Sequence, residues 1–321
     1  MRVFFHPDYV APLRPGHRFP MSKYETTRAA LAAAAALDWA EPAPAAESAL
    51  LAAHTPGWVS AVLAAEVPPA LERRIGFPVT PAVARRAVLS VGGTLAAAEA
   101  ALADGVALNL AGGSHHAMPD HGAGYCVFND LAIAALLHAE AGRRVLVIDL
   151  DVHQGDGTAV ITARHERVAT FSIHCARNVP VRKARSTCDV GLPAGAGDGA
   201  YLAALEAALA RLIAGVRPDL ALVQAGVDPH RDDALGHLSL SDRGLAARDA
   251  LVRQLLVDRG IPFAVTLGGG YDRDVARLGR RHARTLLVLA GLPVPPSLTE
   301  ADGADADLPT GPRPGLLSAR A

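Results

Sequence analysis

The chain has 321 residues, of which half are hydrophobic and a fifth are charged, and its formal net charge is −1. This composition supports a large packed core, and the balanced charge excludes a general attraction to nucleic acid or to anionic membranes. Three cysteines without a CxxC pair predict no disulfide scaffold. We find no signal-peptide pattern and no apolar run of membrane-spanning length, so the cytoplasm is the expected location.

Six short apolar runs along the chain predict β-strands. They lack the alternation of polar and apolar residues, as expected for strands that are buried on both faces of a parallel sheet. Alanine- and leucine-rich helical stretches lie between them, and strands that alternate with helices predict an α/β fold with helices on both faces of the sheet. The predicted strands are Val3–Phe5, Val106–Leu110, Val145–Asp149, Val168–Ile173, Leu220–Gln224 and Phe263–Leu267.

Local signals predict where some helices begin and where the domain ends. The helix signals are a Ser22/Glu25 capping box, a Thr80-Pro81 start, and a Ser241 cap before a helix that stops at Gly260. Residues 1–293 are expected to form a single domain. The tail 294–321 is rich in Pro, Gly and Asp, and we expect it to be disordered.

Polar side chains follow the strands predicted at Val145–Asp149 and Leu220–Gln224. Ligands of open α/β sheets bind beyond the carboxyl ends of the strands. Asp151 and His153 are two residues apart, so in extended chain both side chains project to one side, and Asp228 follows the second strand. Two carboxylates and one imidazole can form a three-ligand metal site with room for water, as hydrolytic sites require. The alternative interpretation is that these aspartates only cap the helices that follow.

The loop after the second predicted strand contains adjacent histidines, His115 and His116. One of them can act as general base toward a metal-activated water and as general acid toward the leaving amine. Each imidazole needs an orienting partner on its other nitrogen, and Asp149 and Asp156, which bracket the predicted metal ligands, are the candidates. The alternative is a pair of solvated loop histidines.

The sixth predicted strand is followed by three glycines and Tyr271. Glycines allow the main chain to approach a ligand closely, and a tyrosine hydroxyl can donate to the oxyanion that forms when water attacks a carbonyl. The alternative is a glycine turn whose tyrosine covers the edge of the sheet.

Taken together, these motifs resemble the histone deacetylase superfamily, which includes acetoin-utilisation proteins and acetylpolyamine amidohydrolases. The stretch Gly16–Tyr24 and the short segment after His174 are most similar to the class IV branch and its bacterial relatives. The matching segments, which follow the family's order over about residues 1–290, are His54–Val62, Gly112–Asp130, Val145–Thr158, Phe171–His174, Gln224–Gly236 and Leu267–Tyr271.

The resemblance implies a fold and a set of roles. The fold is the three-layer fold shared by arginases and deacetylases, with a central, mostly parallel sheet. Asp151, His153 and Asp228 would bind zinc, with ferrous iron left open by an Asp₂His set. His116 would be the main acid/base and His115 its electrostatic partner.

The remaining implied roles surround this centre. Asp149 and Asp156 would support the two histidines, and Tyr271 would polarise the acyl carbonyl. A structural potassium ion would be held by Asp149, the main chain of Asp151 and His153, the Ser172 side chain and Ile173. Gly124 and Tyr125 match the wall of the acyl-lysine tunnel, and Val179 stands where the family usually has an aromatic residue.

The expected function is therefore that of a zinc-dependent deacetylase or deacylase. The substrate is left open among acyl-lysine proteins or peptides, acylated polyamines and small acyl-amines, and the sequence gives no oligomeric state. Arg182–Ser186 replaces the family's usual glycine-rich stretch, which leaves the substrate open, and because Val179 replaces a ring we expect acyl groups longer than acetyl to be accepted. The alternatives are an arginase-like ureohydrolase, in which Gly155 would have to be a second-metal aspartate, and a non-catalytic acyl-lysine binding module. A cysteine hydrolase using Cys126 or Cys175 lacks a base pattern.

Overall fold

The structure of the protein is a computed structural model that describes residues 1–299. Within these residues eight strands form a sheet in the order β2-β1-β3-β8-β7-β4-β5-β6, and every neighbouring pair is parallel. The predicted α/β class with a central parallel sheet is confirmed. The strands are β1 (Arg2–Phe4), β2 (Asp38–Ala40), β3 (Val106–Asn109), β4 (Val145–Asp149), β5 (Val168–Cys175), β6 (Cys188–Leu192), β7 (Leu220–Gln224) and β8 (Phe263–Thr266).

The helices of the described residues pack in two groups against this sheet. The first group contains α5 and α6, and the second contains α1, α8, α9 and α10, with α1 against α10 and α9 between α8 and α10. The helices are α1 (Lys23–Ala34), α2 (Glu47–Leu50), α3 (Pro56–Leu63), α4 (Pro69–Ile75), α5 (Pro81–Asp104), α6 (Asp130–Glu140), α7 (Asp156–Thr162), α8 (Asp198–Val216), α9 (Asp242–Val257), α10 (Val275–Ala290) and α11 (Pro296–Thr299).

All six predicted strands are present; Val145–Asp149 and Leu220–Gln224 have the predicted bounds, and the ends of the other four differ by one or two residues. Sequence analysis missed β2 and β6, which are the two edge strands. Both are partly exposed and include polar or glycine residues, so neither forms the apolar run that marks a strand buried on both faces. Their positions are determined by pairing with β1 and β5 rather than by local pattern.

Two of the three predicted helix caps are confirmed, because the side-chain oxygens of Thr80 and Ser241 each accept a hydrogen bond from a main-chain N–H three residues later. The prediction for Ser22 is wrong. Its backbone is helical, with φ −71° and ψ −6°, and its side chain makes no capping bond. The turn begins earlier, since the Lys23 N–H donates to the Pro20 carbonyl.

Two helices correct the expectation that no apolar stretch is long enough to cross a membrane. Helices α5 and α8, with 24 and 19 residues, meet that criterion by length and composition. Of the most apolar window of α5, 67% is buried within the structure, because this helix packs on β1, β3 and β8. In α8 only 22% of the window is buried, and Tyr201, Leu205, Leu209 and Ile213 face inward at helical spacing.

The tail predicted to be disordered begins at Val294. Its first residues form α11, and Leu298 within this helix is buried against the core. Residues 300–321 lie outside the described residues, so for them disorder stays a prediction.

Candidate active site

The predicted metal ligands meet because their strands are neighbours in the sheet. Asp151 follows β4 and Asp228 follows β7, and these strands pair in parallel so that Asp149 lies opposite Gln224. The two loops therefore leave the same edge of the sheet side by side. This is where ligands bind in open α/β folds.

Asp151, His153 and Asp228 form a buried cluster in which one ligand atom from each lies within 4.8 Å of the others. His153 Nδ1 is 2.9 Å from Asp151 Oδ1 and 3.2 Å from Asp228 Oδ2. Asp228 Oδ2 has no hydrogen bond among the described residues, although it is fully buried. A buried carboxylate oxygen normally has a partner, and oxygen and imidazole nitrogen are ligands that zinc or ferrous iron accepts, so these residues fit a divalent cation.

The other carboxylate oxygens of the cluster are held by fixed donors. Asp151 Oδ2 accepts hydrogen bonds from Gln224 Nε2 at 2.6 Å and from the Gly269 N–H at 2.7 Å. Asp228 Oδ1 accepts one from the Val152 N–H at 2.9 Å. Three strand-end loops thus orient the two carboxylates before any ion binds.

The electrostatics of the cluster also favour a cation. Burial and the neighbouring Asp151 charge raise the pKa of Asp228. Burial opposes protonation of His153, but Asp151 and Asp228 outweigh it and raise the His153 pKa to about 10. The acidic side chains therefore favour positive charge at this point. A divalent cation can supply that charge, with the neutral imidazole as one of its ligands.

Each of the adjacent histidines pairs with the aspartate predicted for it. His115 Nδ1 lies 2.7 Å from Asp149 Oδ2, and His116 Nδ1 lies 2.6 Å from Asp156 Oδ1. The two imidazole rings are 4.1 Å apart. Carboxylates only accept, so the rings donate from Nδ1, and the Nε2 atom of a neutral ring keeps its lone pair.

The two histidines differ in charge. Burial lowers the pKa of His115, but the Asp149 and Asp151 carboxylates more than compensate and raise it to about 9. Burial and the charge on His115 lower the pKa of His116. His115 is therefore the cationic member of the pair and His116 the neutral one, which makes His116 the candidate base.

The loop that carries these histidines is fixed by the start of α6, which sequence analysis did not assign to the site. Asp130 accepts hydrogen bonds from the Gly113 and Ser114 N–H groups at 3.0 and 2.8 Å. Asn129 Nδ2 donates to the His115 carbonyl at 3.3 Å. The consecutive polar pair at positions 129 and 130, directly before an apolar helix, was the available signal.

Tyr271 lies beside the metal-ligand cluster. Its ring centroid is 6.4 Å from that of His153 and 5.8 Å from that of Tyr125. Its main-chain N–H donates to Asp233 Oδ2 at 2.7 Å, which fixes the residue after the glycine turn. Burial and the negative charges of Asp151 and Asp228 raise the pKa of Tyr271 well above 10, so the hydroxyl keeps its proton and can donate.

Gly124 and Tyr125, the residues predicted for the tunnel wall, lie beside His116. Gly124 has φ +53°, and a Cβ there would lie 2.6 Å from His116 Cδ2, so the close contact requires glycine. The Tyr125 ring packs 5.1 Å from Phe19. A cavity of about 30 Å³ is lined by residues that include His115, Gly124, Tyr125, Asp151 and Tyr271.

Val179, the third predicted tunnel residue, is not among the residues that line this cavity, and 55% of its surface is exposed.

The residues predicted for potassium are adjacent, and binding of that ion stays a prediction. Asp149 pairs with Ser172 across β4 and β5. Asp149 Oδ1 accepts the Asp151 N–H at 3.1 Å, and Ser172 Oγ lies 2.9 Å from His174 Nδ1.

Two buried cations that sequence analysis did not assign to the site hold its main chain. Lys23 Nζ donates to the Gly268 carbonyl at 2.7 Å, and burial lowers its pKa to about 8. Arg248 is fully buried on α9 and donates from Nη1 to the carbonyls of Leu150 and Gly226, which lie in the two loops that carry Asp151 and Asp228. Only two of the 31 basic residues are lysines, and this rarity was the one signal that pointed to Lys23.

The geometry disfavours two of the alternatives. At Gly155, an added Cβ would lie 2.2 Å from Asp149 Oδ2, so a second-metal aspartate does not fit there, and residues 1–299 contain no other candidate metal cluster. Cys126 and Cys175 are both buried. Burial raises the pKa of Cys126 to about 12, which opposes formation of a nucleophilic thiolate.

Comparisons with known proteins show the family of the chain. The family model described as histone deacetylase domain matches residues 17–286. An uncharacterized protein of a Picosynechococcus strain is 42% identical over 286 residues, which cover 88% of this chain and 95% of that protein. A "Probable deacetylase" of Methanothermobacter thermautotrophicus is 33% identical over 68% of this chain and 69% of its own length.

A solved structure shares the fold. The crystal structure of the HDA15 HD domain superposes with a TM-score of 0.77 at 24% identity, and the match covers 91% of each chain. By its sequence match over most of its length, with the site residues in place, the chain belongs to the histone deacetylase family.

Proposed function

We propose that the protein is a metal-dependent deacylase that hydrolyses the amide of an acylated lysine or a related amine. The observation that carries the proposal is the buried Asp151–His153–Asp228 cluster, whose imidazole has the rings of His116 and Tyr271 as neighbours at 5.9 and 6.4 Å. Asp151, His153 and Asp228 would hold a divalent ion, which would supply Lewis acidity toward the acyl carbonyl and the attacking water. Zinc is the proposed ion, with ferrous iron as the alternative.

The protein's own groups account for the proton transfers. His116 keeps Nδ1 bonded to Asp156, so its Nε2 accepts the proton of the attacking water. The Tyr271 hydroxyl donates to the carbonyl oxygen as negative charge develops there. His116 then returns the proton to the departing amine nitrogen, while the His115–Asp149 pair maintains a fixed charge behind it.

The volume of the cavity supports a short acyl group. The cavity beside Tyr271 has about 30 Å³, the space of one or two water molecules, which favours a short acyl group over an octanoyl or decanoyl chain. We therefore propose acetyl as the preferred group, although sequence analysis favoured longer ones. The proposal further includes a structural potassium ion, a cytoplasmic location and a place in the class IV branch, for which the support remains the sequence pattern.

The test is turnover of one peptide that carries acetyl-lysine, before and after removal of metal by a chelator and after addition of zinc or ferrous iron. We expect activity to be lost on chelation and to return when zinc or ferrous iron is added, with one of the ions or with each of them. Urea release from arginine, or turnover that survives full metal removal, would contradict the proposal. Tight binding of the acetylated peptide with no hydrolysis in the metal-loaded protein would instead indicate a binding module.

A further inference from the structure

The edge of the site next to His153 is formed by one segment, Arg177–Arg185. The Asn178 side chain holds its start, since it accepts the His237 N–H at 3.0 Å and donates to the Leu235 carbonyl at 2.8 Å. Asn178 Nδ2 is also 3.4 Å from His153 Nε2. This contact places the beginning of the segment directly against a predicted metal ligand.

The other end of the segment is attached beside the same ligand. Gln154, the residue after His153, donates from Nε2 to the Ala184 carbonyl and accepts the Ala184 N–H at 2.7 Å. Between the two ends, Lys183 Nζ donates to the carbonyls of Asn178 and Pro180 and closes the loop on itself. The segment is therefore a fixed rim.

The surface of this rim is cationic. The segment contains four basic side chains and no acidic one, in a chain whose net charge is −1. Lys183 is engaged by main-chain carbonyls, whereas Arg177, Arg182 and Arg185 are exposed and make no hydrogen bond or ion pair among residues 1–299. Val179 and Val181 between them are 55% and 93% exposed.

The opposite wall of the tunnel adds to the charge. Tyr125 is bonded through its N–H to the Ile75 carbonyl, and Gly124 to the Arg74 carbonyl, so this wall is attached to the last turn of α4. Arg73 and Arg74 lie in that turn. The nearby Glu72 carboxylate, which accepts the Val79 N–H, offsets one of these two positive charges.

We propose that this rim selects acyl-lysine peptides with acidic residues next to the acylated lysine and disfavours acylated polyamines. The inference rests on the proposed function and specifies its substrate class. Carboxylates flanking the lysine meet unpaired guanidinium groups, whereas the ammonium groups of a polyamine are repelled by them. The exposed valines offer apolar contact to the peptide between these charges.

The experiment compares three acetyl-lysine peptides that differ only in two flanking positions, with aspartate, asparagine or lysine, and one N-acetylpolyamine. The readout is the ratio of kcat/KM values within each enzyme form. For the wild type at low salt, we expect the acidic peptide to exceed the neutral one on the order of tenfold, from two or three exposed charge pairs. The ratio should shrink toward one at high salt, because exposed charges are screened.

The variant is Arg182→Glu/Arg185→Glu, which should reverse the order of the acidic and basic peptides. Its matched control is Arg164→Glu/Arg259→Glu, which makes the same change in net charge. Both positions are exposed and precede β5 and β8, so they lie at the amino ends of the strands, away from the site. The control should keep the wild-type order. Equal kcat/KM values for the three peptides, or the same reversal of their order in both variants, would overturn the inference. Turnover of the neutral peptide would in that case still support deacylation. Absence of turnover with every substrate would reject the proposed function itself.

Discussion

The metal-ligand cluster Asp151, His153 and Asp228, together with Arg248, forms the floor of the site. The rim segment Arg177–Arg185 contacts this floor at His153, but the two regions differ in how far their charged groups are exposed. In the floor, Asp151 and Asp228 are at most 1% exposed, and the Arg248 guanidinium beneath them is fully buried. In the rim, three arginines are exposed and have no partner among residues 1–299, and Val181 is 93% exposed. Hydrogen bonds that involve the main chain fix both regions, but only in the rim are the charged side chains exposed to solvent.

This difference has a physical consequence for substitutions. A change in the floor leaves a buried polar partner without its hydrogen bond, which costs about 1–3 kcal/mol or more when a charge is involved. A change in the rim alters solvated charges, which are worth about 0.2–1 kcal/mol per pair. The floor therefore determines whether the chemistry occurs, and the rim tunes which substrate is chosen.

The largest effect is expected from Asp228→Ala. Loss of one ligand from a three-ligand site removes the ion, so hydrolysis should become undetectable, and metal analysis should fall from about one equivalent per chain to none. The control is Asp232→Ala on the same loop, where the side chain is 57% exposed. Two equivalents in the wild type, or full activity of the Asp228 variant, would contradict the one-metal site.

Tyr271→Phe should lower kcat on the order of 10²–10³-fold, because it removes one donor to the oxyanion and little volume. Metal content and the folded structure should stay as in the wild type, since Tyr271 donates to Asp233 Oδ2 through its main-chain N–H and not through its hydroxyl. Steady-state kinetics with metal analysis measures this. A wild-type kcat would mean that Tyr271 does not face the reacting carbonyl.

A substitution of Arg248 tests how the two ligand loops are supported without changing a metal ligand. Its Nη1 donates to the carbonyls of Leu150 and Gly226, so its loss should loosen both ligand loops and weaken metal binding about 10–100-fold. Because Arg248→Met alone leaves Asp249 as a buried unpaired charge, the test uses Arg248→Met/Asp249→Leu, which replaces the buried pair by apolar residues.

Metal affinity and thermal unfolding of the metal-free protein are measured together for this pair of substitutions. A double variant that remains folded but needs more metal for full activity supports the positioning role. Wild-type metal affinity in a folded double variant would show that Arg248 serves stability alone.

The smallest effect is expected from a substitution in the rim, measured as the preference for acyl-chain length. Val179 is half exposed and does not line the cavity, so Val179→Phe should change the ratio of acetyl to butyryl, octanoyl and decanoyl turnover by less than about twofold. Acetyl-lysine should be the best of the four peptides in kcat/KM. Preference for a long chain, reversed in the phenylalanine variant, would instead make Val179 the residue that sets acyl length.

Much of the site could be predicted from sequence because its chemistry is local. Asp151 and His153 follow a buried apolar run, and the two histidines are adjacent in one loop, so strand ends and residue types alone indicated a metal-dependent hydrolase. The same reasoning failed at Ser22, whose backbone is already helical and whose side chain makes no capping bond. It also missed β2 and β6, since partly exposed edge strands lack the apolar run of central ones.

By itself, the sequence determined the α/β class, six of the eight described strands and the side chains that meet at the site. Only the tertiary structure decided that β7 lies beside β4, which brings Asp228 to Asp151. It also decided the buried supports: Lys23 reaches a carbonyl 245 residues away, and Arg248 reaches one 98 residues away. Bonds from a side chain to a distant main-chain carbonyl depend on no residue type at the acceptor, so they leave no pattern in a single sequence.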